Sequence, residues 1–367
     1  MPHYRVPFFQ ALFIELARKD IHLKVVYGQE IPSTIPRSVV IQVPWAIQIK
    51  NHYWSIFGKE IVWQPCLREL RKSDLIIAEQ ANRLLINYLL LAYKYLGRYK
   101  LAFWGHGKNF QDSSSMNLSR HWKNIFVRCV DWWFSYTMMS TDLVKASGYP
   151  SNKITTVQNA IDNHNISQVK LKITSEDLAS LKKILCIDSN NIAIFCGGMY
   201  ADKKLFFLLQ ACELIKKSVP DFHILFIGTG PDHTLIKRAA EKNTWLHNLG
   251  EITGNERVPY FLMSKCLLMP GLVGLVILDS FILETPIITT DIPIHSPEIA
   301  YLKKDINGLM TSFDVKKYAE AVVQVMLSKE THDQLQTGCK ESAAHYTLNN
   351  MVTNFSSGIT HCLSQNK

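Results

Sequence analysis

In the second half of the chain, short apolar runs alternate with stretches whose apolar positions recur every three or four residues. The runs at 191–195, 223–227, 246–249, 266–269 and 286–289 have the length and flanking turn residues of buried strands. The stretches 175–184, 205–217, 233–242, 256–263 and 276–283 carry the helical period. This order predicts βαβ units feeding a parallel sheet. The first half shows the same alternation less sharply. It predicts a helix over 11–19, a strand over 22–27, a loop-rich stretch to about 65, and strands at 75–78 and 101–104 flanking a helix over 83–96. A further unit follows as strand 132–137, helix 142–147 and strand 154–157. The polar, aperiodic segment 161–174 reads as an interdomain crossing. Helices from 315 to the end, including 351–362, carry no legible chemistry.

A length of 367 residues suits two domains, each large enough for its own core. The hydrophobic fraction of 47% is that of a globular protein, and no run of eighteen apolar residues predicts a membrane-crossing helix. The opening MPHYRVPFFQAL lacks the apolar core of a secretory signal, so a cytoplasmic location is expected. The eight cysteines stand singly, without CxxC pairs, and are expected to be free thiols. No HExxH motif or His/Cys cluster has ligand spacing, so no metal site is expected.

Charge separates the halves. Residues 1–170 hold 21 Lys and Arg against 11 Asp and Glu, whereas the remainder holds 19 against 20. The basic half is interleaved with Trp54, Tyr88, Tyr93, Tyr95, Tyr99 and Trp122. Such a surface suits an anionic membrane face or a phosphate-bearing acceptor. Nucleic acid is the rival anion, but the basic residues are dispersed and no nucleic-acid-binding motif accompanies them.

In an open parallel sheet, ligands bind beyond the C-terminal strand ends, where βα turns offer free amides and helix dipoles. That rule selects four turns: Gly197-Gly198, Gly228-Thr229-Gly230-Pro231, Gly250-Glu251 leading into Ile252, and 270–274. A dinucleotide fingerprint in the second turn would need glycine at the position of His233, which argues against a dehydrogenase.

Taken together, FCGGMYADKKLFFLLQAC, FHILFIGTGP, NLGEITGNERVPYFLMSKCLLMPGLVGLVILDSFILETPIITTD and HSPEIAYLKKDINGLM resemble the donor domain of the family-4 glycosyltransferases. YTMMSTDLVKASGYPSNKITTVQNAID resembles, less closely, the end of the family's first domain and its hinge, with Ala160 at a position usually held by glycine. The resemblance implies an α/β fold of the GT-B type: two facing Rossmann-like domains with parallel sheets, and a C-terminal helix returning toward the first. The corresponding domains are an acceptor-side domain over 1–163, a donor-binding domain over 164–345 and a helical segment over 346–367. In similar proteins a strand and its glycine turn precede a segment like 2–9. Here Met1 stands immediately before it, so the first domain is expected to lack its opening strand.

Residue by residue, the resemblance implies that Lys203 contacts the donor diphosphate, where a cation neutralises charge on the departing nucleotide. The Arg that the family places five residues earlier is Gly198 here, leaving Lys204, another basic residue or backbone amides to substitute. The family's pair of acids eight positions apart falls on Gly271 and Asp279, so the first is absent and the second shortened from Glu. Asp279 is expected to accept from ribose hydroxyls. Gly271 and Gly274 are expected to let the backbone approach the ligand, with the amides of Val273, Gly274 and Leu275 aimed at phosphate. His106, after an apolar strand in FWGHGKN, is the candidate for stabilising the reacting centre, and Glu79 for contacting the acceptor.

The reaction implied is transfer of a hexose-type sugar, with retention, from a UDP- or GDP-sugar to a saccharide or lipid-linked saccharide. The setting implied is surface-polysaccharide assembly, such as lipopolysaccharide O-antigen or capsule, on the inner face of the plasma membrane. Front-face chemistry of this kind relies on positioning and electrostatics, and calls for no metal and no cofactor. The departures at Gly198 and Gly271 leave a noncatalytic binding or scaffold role as the rival. A sugar-nucleotide epimerase would need paired acids that the sequence does not provide.

Overall fold

A computed structural model describes residues 1–29, 41–56, 59–107 and 128–365; Trp122 lies outside them. The chain divides into two compact units, Met1–Ile161 with Leu348–Lys367, and Asp162–Thr347.

The first unit opens with α1 (Val6–Ala17), which starts earlier than its apolar period predicts because Pro7 suits the first helical turn. The supposed loop-rich stretch is corrected: it contains three strands besides β1 (Val25–Gly28). These are β2 (Ala46–Ile49), parallel to β1, and the antiparallel hairpin β3 (His52–Ile56) with β4 (Lys59–Trp63). The hairpin is also an exception to all-parallel pairing. Its pattern was illegible because Trp54 and Ile56 stand exposed, leaving no polar outer face to set against an apolar inner one. After a short helix α2 (Leu67–Leu70), the main sheet follows as β5 (Leu75–Glu79), α3 (Ile86–Tyr95), β6 (Lys100–Gly105), β7 (Trp132–Ser135), α4 (Met138–Ala146) and β8 (Ile154–Thr156). Its four strands are parallel and lie in sequence order.

In the second unit the polar segment read as a crossing is helix α5 (Asn163–Lys172). Aperiodic residues form it because tertiary anchors replace an apolar stripe. The Asp162 carboxylate caps Asn165 N–H, and Lys170 Nζ reaches the Ile282 carbonyl and, at 2.7 Å, Glu284. Then come α6 (Ser175–Ile184), β9 (Ile192–Cys196), α7 (Leu205–Ser218), β10 (His223–Ile227), α8 (His233–Ala240) and β11 (Leu246–Gly250). They are followed by α9 (Val258–Leu262), β12 (Cys266–Leu268), α10 (Val276–Ile282), β13 (Ile287–Thr290), β14 (Gly308–Thr311), α11 (Val315–Leu327) and α12 (Lys329–His345). The helix expected over 256–263 is split into a 3-10 turn, Gly254–Arg257, and the shorter α9, with Pro259 in its first turn. β14, which the apolar pattern did not reveal, completes a six-stranded parallel sheet in the order β11-β10-β9-β12-β13-β14. Every residue of β9 is buried, as expected where helices cover both faces, which explains the unbroken apolar runs.

The last helix, α13 (Leu348–Ser364), belongs to the first unit and packs on α1 and β8. Alternation along β6 and β7 divides that unit's core. Leu101, Phe103 and Trp133 face one cluster, while Ala102, Trp132 and Phe134 face another that includes Phe8, Leu12, Met351 and Phe355. Phe134 and Phe355 stack at 4.4 Å. Among the described residues, no helix is long and apolar enough to cross a membrane.

Candidate functional site

In the second unit, strand order reverses between β9 and β12, and a doubly wound sheet opens its ligand crevice at such a reversal. Two turns meet there. Leu272 N–H donates to the Asp202 carbonyl at 2.8 Å, and Lys203 Nζ donates to the Leu272 carbonyl at 2.5 Å. Lys203 is buried, its ammonium 5.6 Å from the Tyr200 ring centre, so this cation is held at the crevice by both turns. Lys204, the first alternative for the missing Arg, adopts a left-handed conformation (φ 56°) as the N-cap of α7 and is partly exposed.

The glycines of the first two turns pack backbone on backbone. A Cβ on Gly228, whose φ is 136°, would lie 1.9 Å from the Gly197 carbonyl oxygen, so only glycine fits. The same approach corrects an expectation. The amides of Gly197 and Gly228 do not remain free for phosphate, because they donate to the carbonyls of Ile227 and Gly250. Gly198 and Gly230 sit in the same turns, partly exposed. Glu251 and Ile252 lie beyond the end of β11, the former exposed and the latter partly so.

In the 270–275 turn, the Val273 amide is likewise not available, since it donates to His295 Nδ1 at 3.1 Å. Burial holds the His295 imidazole below its ordinary pKa, and its Nε2 donates to the Thr290 carbonyl at 2.7 Å. Gly274 and Leu275 retain amides with no protein acceptor among the described residues, and Val276 joins them. All three are partly exposed, at the start of α10. Gly271, where the resemblance implies an acid, is tightly enclosed: a Cβ would lie 2.1 Å from the Asp202 carbonyl oxygen. A side chain and this meeting of turns exclude each other.

Asp279 also departs from expectation. It is buried and faces Arg257, with Nη2 to Oδ1 at 2.9 Å, instead of opening toward a ribose. Burial pushes its carboxyl above the usual range, opposed by the guanidinium, while Asp279 keeps Arg257 firmly charged against its own desolvation. Arg257 is the functional candidate that sequence reasoning missed. It stands close enough to Cys196, at the end of β9, to influence its thiol, as does Lys203, so the strand end where the family's Arg is lacking has a second cation nearby. The only sequence signal was its place in the turn after β11.

In the first unit, Glu79 is exposed at the end of β5. His106 follows β6, edge-on to the Tyr136 ring at 4.4 Å. Burial, and secondarily the Arg5 guanidinium, push its imidazole down to about 4, so it is neutral at pH 7. Its Nδ1 is buried with no partner among the described residues.

Comparison with known proteins agrees with this geometry. Residues 190–328 match the family model described as Glycosyl transferases group 1. A glycosyltransferase from Rickettsia africae ESF-5 has a similar structure, with TM-score 0.71 at 13% identity over 100% of this chain and 97% of that one. HepE of Anabaena, solved in complex with UDP-glucose, has TM-score 0.62 at 11% identity over 80% of each chain. The lipopolysaccharide outer core galactosyltransferase WaaB, in its apo form, has TM-score 0.58 at 15% identity over 80% of this chain and 77% of that one. No curated protein matches the sequence. The two-unit α/β fold that the motifs led us to expect is therefore the fold of this chain.

Proposed function

We propose that this protein is a retaining family-4 glycosyltransferase that moves a hexose-type sugar from a UDP- or GDP-sugar to a saccharide acceptor carried on a lipid. The observation that carries the reading is Lys203, buried at the strand-order reversal and tied to the turn that leads into α10. An ammonium there, beside the amides of Gly274, Leu275 and Val276, stabilises charge gathering on the departing diphosphate. Arg257, fixed by Asp279, takes the part of the second cation. His106, neutral, contacts the reacting sugar without adding charge, its Nε2 accepting from a sugar hydroxyl. The chemistry is positioning and electrostatics and uses neither metal nor cofactor.

The family match to residues 190–328 supports the transferase class, and the UDP-glucose complex of HepE supports a nucleotide-sugar donor. WaaB's role in lipopolysaccharide supports a surface polysaccharide, O-antigen or capsule, as product. A peripheral site on the cytoplasmic face of the plasma membrane is supported by the basic first half and by an exposed apolar stripe. Tyr88 and Tyr95 are exposed on α3 and Leu85 and Leu96 at its two ends, with Trp54 and Ile56 exposed on the hairpin.

The deciding experiment is a panel of UDP-, GDP- and ADP-sugars. Saturable binding of one donor, with nucleoside diphosphate released only when acceptor is present, is the expected result. Lys203→Ala, checked for folding, is expected to lower kcat/KM about 100-fold, and normal turnover in it overturns the assignment. The departures at Gly198 and Gly271 favour a second reading, a noncatalytic binding or scaffold partner. Absence of binding across the whole panel supports that one.

A further inference from the structure

The C-terminal edge of the first unit's sheet carries a charge that the proposed donor site does not use. Arg5 is buried, with 8% of its surface exposed, yet it forms no ion pair with any carboxylate among the described residues. Its Nη1 donates to Asn159 Oδ1 at 2.6 Å, and the same nitrogen lies 4.0 Å from the Met351 sulfur. The guanidinium carbon lies 4.9 Å from the Trp104 ring centre, 5.2 Å from that of Tyr4 and 5.7 Å from that of Tyr136. Ring faces attract a cation but accept few of its five N–H groups, so most of the planar fork remains unused.

A buried cation without an anion is costly, and buried charges are nearly always paired. Two further polar atoms beside it are buried with no partner among the described residues: Trp104 Nε1, an obligate donor, and His106 Nδ1. With His106 neutral, its Nδ1 carries the proton in one of its two tautomers. The helix α1 begins at Val6, immediately after Arg5, without a side-chain cap, so its positive end has the same sign as the guanidinium. Three donors from different parts of the chain thus lie together, and apart from Asn159 and the Met351 sulfur, which take Arg5 Nη1, nothing among the described residues accepts from them. Tyr4, Trp104, His106 and Tyr136 are each partly exposed, so the cluster lies close beneath the surface, with the indole and imidazole nitrogens themselves covered.

We propose that Arg5, Trp104 and His106 form an oxyanion site in the first unit that grips a phosphate group of the acceptor. The assignment to the acceptor rests on the glycosyltransferase reading; the oxyanion site itself does not. A phosphate matches the guanidinium fork, offers further oxygens to the indole and imidazole N–H groups, and supplies the missing negative charge.

The test uses the full chain and inorganic pyrophosphate, titrated by calorimetry with and without saturating UDP. We expect pyrophosphate to bind in both conditions, because Arg5, Trp104 and His106 belong to the first unit and the residues proposed for the nucleotide to the second. Arg5→Gln should weaken that binding tenfold or more, Arg5→Lys less, and both should leave UDP binding within about twofold of wild type. Complete displacement of pyrophosphate by UDP overturns the acceptor assignment, and undiminished pyrophosphate binding in Arg5→Gln overturns the site. If Arg5→Gln does not fold, the wild type decides through the Trp104 indole N–H resonance. A saturable shift with pyrophosphate in the presence of UDP supports the site, and an unmoved signal refutes it. A chain that binds pyrophosphate in this way but no nucleotide-sugar would retain the oxyanion site and lose the transferase reading.

Discussion

The two sheets end differently. At the C-terminal edge of the second unit's sheet, the candidate site is made by backbone against backbone, with Gly228 on Gly197 and Gly271 on the Asp202–Lys203 peptide, and with one lysine pinned between turns. At the corresponding edge of the first unit's sheet, the polar atoms belong to side chains at positions 5, 104 and 106, with supports at 136, 159 and 351. A backbone site demands particular residues at particular spacings, because only glycine fits the contacts. A side-chain site needs only that a few large residues converge, and convergence leaves no spacing in the sequence. The contrast predicts that the second unit responds most to loss of a partner or to added volume, and the first to loss of charge balance.

The largest effect expected is at the Arg257–Asp279 pair. Arg257→Ala leaves the buried Asp279 carboxylate without its counter-charge, and we expect a loss of about 4 kcal/mol in stability measured by urea unfolding. Pairing Asp279→Leu with Arg257→Met should recover much of it, because the cost lies in the uncompensated charge and not in the volume. A single variant within about 0.5 kcal/mol of wild type would show that the pair does not anchor this end of the sheet. Next in size is Gly271→Glu, which restores the family's acid. The resemblance to the family-4 glycosyltransferases implies a gain of function there, but the steric contact predicts the opposite, a loss of about 3 kcal/mol or more in thermal unfolding, since the Cβ must displace the Asp202 carbonyl. A stable and more active variant would mean that the two turns are not held together as described.

These contacts also explain what the sequence disclosed. In the second unit, strand 223–227 and helix 205–218 lie within a residue or so of where the apolar pattern placed them, because burial of the strand and of one face of the helix imposes that pattern. The turns at Gly197, Gly228 and 270–274 were legible for the reason given above. The use of their amides was not, because the partners that consume them, Ile227, Gly250 and His295, are distant in sequence and chemically ordinary. Arg257 was missed for a similar reason: its significance comes from pairing with the buried Asp279 across 22 positions. The hairpin at 52–63 and helix 163–172 were hidden by exposed aromatics in one case and polar anchors in the other.

The smallest effect compares the two units through one imidazole in each. His106 in the first unit and His247 in the second are both pushed down to about 4, mainly by burial; the secondary cause is Arg5 for His106 and the neighbouring His223, 3.0 Å away, for His247. A base whose pKa is lowered on folding is protonated more readily in the unfolded chain. Its contribution to stability is therefore complete above the ordinary imidazole value of 6.5 and is lost as pH falls toward about 4. For His106 the full loss is about 2 kcal/mol, after allowance for its partial contact with solvent. His106→Leu should flatten that part of the acid limb in urea unfolding measured from pH 7 to 4, and an unchanged limb would count against a buried, neutral imidazole. Pyrophosphate separates the units further. An anion held by Arg5 offsets the guanidinium that helps depress His106, so the His106 ring signal should titrate at higher pH when pyrophosphate is bound, while that of His247 stays where it is. If both rings move together, the anion acts on the whole protein and not at the first unit's sheet edge.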